Sequence, residues 1–141
     1  MASPGRAFLL VFAVHLAIQS WFLSRMHQDV VRPHARWEIN AVAMALYERG
    51  EFADPYAIPT GPTAHMPPLL PALMAGVYHL LGPTLAAGYV TWLVAIAGYG
   101  AMYAMLPWLG MRLGLGAGAG LAAGLAGAAI PRWPGSVEGL A

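Results

Sequence analysis

Apolar residues fall in four long runs along this chain, over residues 7–24, 68–81, 85–109 and 113–130, and polar residues gather between the first two. The first run, AFLLVFAVHLAIQSWFLS, holds no charge, Gly or Pro. At 1.5 Å per residue it makes a helix of roughly 27 Å, close to the hydrocarbon thickness of a bilayer. Arg6 and Arg25 flank it, Trp21 lies near its far end, and no small-x-small cleavage site precedes a soluble domain. The pattern predicts a retained span rather than a removed signal peptide. Residues 85–109 are long enough for a second crossing, and 113–130, stopped by Pro131, for a third. The run 68–81 reaches only about 21 Å, which suits an interfacial helix or a short span. The expected fold is all-α and integral to the membrane, with three or four transmembrane helices.

The segment 25–66 has a different texture. After Pro33, residues 35–47 are good helix formers with no internal Gly or Pro, and Gly50 follows as a stop. Trp37, Val42, Met44, Leu46 and Tyr47 alternate with Arg36, Glu38, Asn40 and Glu48, the pattern of a juxtamembrane helix lying at a membrane surface. From 51 to 66 the turn formers Asp54-Pro55, Pro59-Thr60-Gly61-Pro62 and Pro67-Pro68 forbid a long helix and predict a stiff, ordered loop.

Composition narrows the class. Of 141 residues, 59% are hydrophobic and 9% charged, against roughly a quarter charged in a soluble domain. A net charge of +1 provides no basic field for nucleic acid. The absence of Cys removes disulfides, thiolate metal sites and a Cys nucleophile. If 68–81 stays at the interface, Arg6 and Arg112 share the cytoplasmic side, and the 25–66 loop lies outside together with 132–138. The expected location is the cell (inner) membrane, multi-pass. Four Arg in that loop pull the other way, but five of the six acids accompany them.

Gly116, Gly120 and Gly124 stand in register as a small-xxx-small face for close helix packing. Gly118-Ala-Gly120-Leu-Ala-Ala123 resembles a dinucleotide fingerprint only in its letters, because no strand precedes it and no acid follows about twenty residues on. Pro134 to Ala141 reads as the opening of another helix, with Ser136 as N-cap and Glu138 in the first turn, so the chain is expected to be the N-terminal part of a longer polytopic protein whose remaining helices are its partners.

Chemistry is expected in the 25–66 loop. Glu38, beside the membrane between Trp37 and Ile39, is the leading carboxylate, since desolvation there would make it a stronger base. Its alternative is a solvated charge on an amphipathic helix. His65 precedes Met66-Pro67-Pro68, at the N-terminus of the next helix, where free N–H groups and partial positive charge attract anions such as a lipid phosphate. Its alternative is a turn residue packed on Tyr56. His34 and Glu38 have i, i+4 spacing, but two ligands at a common spacing do not make a metal site, and none is expected. His15 and Gln19 share a face of the first span and should point at other helices. His79 beside Tyr78 suits interfacial packing. No nucleophile elbow, P-loop or triad pattern occurs.

The stretches Trp37-Glu38, Ala45-Leu46 with Gly50, Phe52-Ala-Asp54-Pro55-Tyr56, Gly61-Pro-Thr-Ala-His65, Pro67-Pro68-Leu69 and Leu81-Gly82 together resemble the first extracytoplasmic loop of the polytopic GT-C glycosyltransferases. The resemblance is to the broad group of dolichyl-phosphate-mannose protein mannosyltransferases and lipid A aminoarabinose transferases. It covers about fifty residues, and the flanking spans only in hydropathy. It implies inverting transfer of a sugar from a polyprenyl-phosphate carrier to a hydroxyl or lipid acceptor outside the cytoplasmic membrane, with no cofactor. Glu38 would be the general base, and His65 with the helix amides would neutralise the departing phosphate. Arg36, Asp54 and Thr63 of the same loop would join His65 in binding substrate. Two departures stand out. Trp37 replaces the usual Asp of an Asp-Glu pair, and Met66 stands where a Lys or His often directly precedes Pro-Pro. A reading from another class is a small non-enzymatic membrane scaffold or transporter subunit that packs through the Gly-rich helix.

Overall fold

A computed structural model describes residues 4–26, 28–31, 33, 38–56 and 58–130. Among these residues the fold is all-helical: α1 (Pro4–Arg25), α2 (Gln28–Val31), α3 (Glu38–Arg49), α4 (Leu69–Leu81), α5 (Leu85–Ala104), α6 (Leu106–Arg112) and α7 (Ala117–Ala129). The chain divides into two compact units, Met1–Met26 with Leu93–Ala141, and His27–Trp92. The stretch from Pro134 to Ala141, expected to open another helix, lies outside the described residues.

Two helices are long and apolar enough to cross a membrane, Pro4–Arg25 and the continuous stretch Leu85–Arg112. Only 28% and 22% of their apolar windows are buried inside the protein, whereas the core helix of a soluble protein would be mostly covered. Leu9, Leu10, Leu93, Val94, Met102 and Leu109 are exposed along them. Each ends in an Arg stacked one turn after a Trp: Arg25 lies 5.4 Å from the Trp21 ring centre and Arg112 5.2 Å from that of Trp108.

In the first unit, α1 buries Ala7, Val11, His15, Gln19 and Leu23, a stripe at strict four-residue spacing. The stretch expected over 85–109 runs on to Arg112, with a local interruption at Met105 between α5 and α6, because Pro107 has no N–H to give to the carbonyl four residues back. The apolar run 113–130 is not helical from its first residue. Leu113 to Gly116 form a turn, and the helix proper is the thirteen residues of α7, about 20 Å long. Leu115 N–H donates to Gly110 O at 2.9 Å and Gly114 N–H to Met111 O at 3.2 Å, the paired bonds of a glycine helix stop, with Gly114 at φ 74° supplying the left-handed residue.

After the turn, α7 folds back on α6. A Cβ on Gly120 would collide with the Leu106 carbonyl oxygen and lie 2.8 Å from Pro107 Cα. One on Gly124 would lie 2.9 Å from Tyr103 O and 3.2 Å from a Val11 methyl. Gly116 therefore is not part of this seam. It sits at φ 84° in the N-cap, and the buried register along α7 is Gly120, Gly124 and Ala128. Val11, Ala104 and Ala128 form the core there, with Phe8, Phe12, Val14, Tyr103, Leu121 and Leu125 packed around it.

In the second unit, α3, α4 and the start of α5 pack through Ala43, Met74, Tyr78 and Ala87, bordered by Met44, Tyr47, Leu70 and Val77. The surface helix expected over 35–47 is described from Glu38 to Arg49, where Gly50 at φ 70° donates its N–H to Leu46 O at 3.0 Å and stops it. Thr84 starts α5 as its N-cap, its hydroxyl accepting from Ala87 N–H at 3.3 Å. Within the same unit α5 presses on Val31 so closely that a Cβ at Gly88 would collide with the Val31 carbonyl.

Candidate functional site

Glu38 is the first residue of α3, where a carboxylate is favoured by the positive end of the helix. His65 lies in the bend before α4, and its Nε2 is 3.2 Å from Glu38 Oε2, although 27 residues separate the two in sequence. Both side chains are open, His65 at 52% and Glu38 at 42% exposure. The protein itself does not bury Glu38, and what the fold supplies to the carboxylate is an imidazole partner. The pair is an ion pair whenever the imidazole is protonated.

Tyr56 and Thr63 define the place of His65. The Tyr56 ring lies 6.1 Å from that of His65, at 46°, and Thr63 Oγ1 accepts the His65 backbone N–H at 3.1 Å. The packing on Tyr56 and the approach to Glu38 therefore occur together, not as alternatives. Thr63, expected as a substrate contact, accepts this backbone bond and keeps its O–H able to donate.

The turn-rich stretch is ordered by Asp54. Its Oδ1 accepts the N–H groups of Thr60 and Gly61, both at 2.8 Å, and its Oδ2 takes the Arg49 guanidinium. Asp54 N–H donates to Gly61 O and Thr63 N–H to Phe52 O, each at 3.0 Å, which makes the bridge between Ala53 and Pro62. Asp54 holds φ 54°, a left-handed conformation that Asp tolerates better than most residues. The amides of Gly61 and then Thr60 hold its carboxyl below the usual value; burial opposes them, and Arg49 adds lesser lowering effects. Sequence reading missed Arg49, although an Arg just before a Gly stop and five residues before an Asp-Pro turn is a readable signal.

At the start of α4, Leu69 and Leu70 are the first-turn N–H groups and Pro71 has none. The expected amide cradle for a phosphate is therefore two donors wide. Tyr78 O–H donates to Asn40 Oδ1 at 3.1 Å, and His79 lies 5.0 Å from the Tyr47 ring, which makes His79 a packing residue. Arg36 and His34 lie outside the described residues. The acid, the imidazole, Asp54 and Thr63 are thus gathered in one stretch of the second unit. Compared with known proteins, the chain matches no family model, no curated protein and no solved structure.

Proposed function

We propose that this chain carries the acceptor-activating loop of an inverting, GT-C-like glycosyltransferase, which moves a sugar from a polyprenyl-phosphate carrier to a hydroxyl or lipid acceptor outside the cytoplasmic membrane. The observation that carries the reading is the Glu38–His65 contact, a base and a proton-bearing group on separate elements, both open to solvent. In the transfer, the acceptor oxygen attacks the sugar anomeric carbon while its proton passes to the Glu38 carboxylate. The bond from that carbon to the phosphate oxygen breaks, and the phosphate leaves with the electron pair. His65 donates to that phosphate, aided by the Leu69 and Leu70 amides.

In this reading α1 and the α5–α6 stretch cross the bilayer and α4 lies along its outer surface. Support comes from α3, which carries Glu38 at one end and Glu48 and Arg49 at the other. Asn40 and Tyr47 of α3 reach Tyr78 and His79 near the end of α4, while Glu38 meets His65 just before its start. Were α4 to cross hydrocarbon, that charged helix would be carried into it, at a cost of several kcal/mol. The scaffold alternative draws less support, because Gly120 and Gly124 are already covered by Leu106, Pro107, Tyr103 and Val11 of the same chain.

The test is turnover of a polyprenyl-phosphate sugar by the polypeptide that contains this chain. Glu38→Gln should lower turnover by about a hundred- to ten-thousandfold, and His65→Ala should also raise the KM for the donor. Near wild-type turnover in a folded Glu38→Gln protein would refute the general-base role.

A further inference from the structure

We infer that Asp54 is the positioning residue of the Glu38–His65 pair, acting by closing the 54–61 loop so that Thr63 and Tyr56 hold His65 toward the carboxylate. The inference rests on reading Glu38 and His65 as the reacting pair, and it gives Asp54 a role other than the substrate contact expected from sequence.

Half of the His65 side chain is open, so packing alone does not place it; directed bonds must. Those bonds trace back to Asp54. Its Oδ1 gathers the Thr60 and Gly61 amides, and this brings Gly61 O to the Asp54 N–H and Phe52 O to the Thr63 N–H. Thr63 is thereby fixed, and its hydroxyl takes the His65 N–H. Tyr56 lies inside the closed loop and meets the other side of the connection, ring against imidazole. The Oδ2 bond to Arg49 ties the closed loop to α3, the helix whose first residue is Glu38. One carboxylate therefore links the loop that presents the imidazole to the helix that presents the acid.

The test reads His65 directly, in the full chain in lipid nanodiscs labelled with ¹⁵N-histidine, with the His65 signal among the five histidines identified by its loss in His65→Gln. Asp54→Ala should move the imidazole signal most of the way to its position in Glu38→Gln. Asp54→Asn keeps an acceptor for both amides and tolerates the left-handed backbone but turns a donor toward Arg49 and loses that tie to α3, so its signal should lie between wild type and Asp54→Ala. Thr63→Val removes the hydroxyl alone and should move the signal partway. An unchanged His65 signal in folded Asp54→Ala would overturn the inference, as would an Asp54→Asn signal displaced as far as that of Asp54→Ala. Should Asp54→Ala lose its helicity, Thr63→Val and Asp54→Asn decide by the same readings. In the transfer assay the matching result is a loss in kcat on the order of a hundredfold for Asp54→Ala, smaller for Asp54→Asn. Signal shifts without any transferase activity would leave the positioning intact and remove only the functional reading.

Discussion

Along α7, Gly120 and Gly124 let backbone approach backbone, with Leu106 O, Pro107 Cα and Tyr103 O where side chains would otherwise stand. Between α3, α4 and the loop that joins them, the decisive contacts are made by side-chain tips: Glu38 to His65, Tyr78 to Asn40, and Asp54 to two amides and Arg49. The α6–α7 seam is specified by what is missing from its residues, as is the approach of Gly88 to the Val31 carbonyl in the second unit. The loop between α3 and α4 is specified by polar atoms placed one at a time. Close approach of backbones supplies attraction through many small dispersion contacts and needs no polar partner. Directed bonds serve a loop that has to keep a few exposed groups in fixed relation.

The harshest way to break this comparison is to fill the seam. Gly120→Leu would put a Cβ into the Leu106 carbonyl, where rigid backbone has no rotamer to yield. A loss of about 3 kcal/mol or more is expected, at or above the upper end of ordinary overpacking. Gly118→Leu, two residues away on the same helix, meets nothing within 4 Å and should be close to neutral. Reversible unfolding in detergent or bicelles would measure both, and equal effects would show that the seam does not hold the unit together.

That contrast also explains what could be read in advance. Apolar runs and their lengths are enough to locate α1, α4 and the start of α5, since a helix in or on a bilayer leaves little other choice for such residues. Hydropathy was blind to the break at Met105 and to the turn from Leu113 to Gly116, because Leu113 and Leu115 are as apolar as the helices on either side. Gly116 was placed in the packing register for the same reason: a glycine that opens a turn and a glycine that admits a neighbour carry the same letter, and only its φ of 84° separates them. In the loop, Glu38 and His65 could be singled out by residue type and position. Their meeting across 27 residues depends on Asp54 binding backbone amides, and amides leave no trace in a sequence.

Acid should separate the two units more gently. The Asp54 carboxyl is held below its ordinary value of 3.8, chiefly by the Gly61 and Thr60 amides. The unfolded loop therefore takes up a proton at higher pH than the closed one, and the closing contribution is complete above about 3.8 and lost as pH falls through the lower folded value. Protection of the Thr60 and Gly61 amides against hydrogen exchange should fall across that range in the wild-type chain. In Asp54→Asn the protection should be independent of pH there, which separates Asp54 from the other carboxylates titrating nearby. Amides within α7 should show no such dependence. A parallel loss in α7 would mean that acid acts on the whole chain rather than on this closure.

The smallest effect is expected where a polar bond intrudes on the apolar unit. Gln19 Nε2 donates to Ile130 O at 2.8 Å, joining α1 to the residue that ends α7. The contact runs parallel to the one between Val11 and Gly124, eight residues earlier on α1 and six earlier on α7, so the same two helices already meet through packing. Hydrogen bonds between membrane helices average only about 0.6 kcal/mol, since the separated helices also find polar partners. Gln19→Met keeps the length of the side chain and removes the donor, so it should cost about that much in the same unfolding assay, well below Gly120→Leu. If it cost as much as the glycine substitution, the packing of α1 on α7 would depend on a directed bond after all, and the division between helices joined by close approach and a loop made by polar contacts would fail at its clearest point.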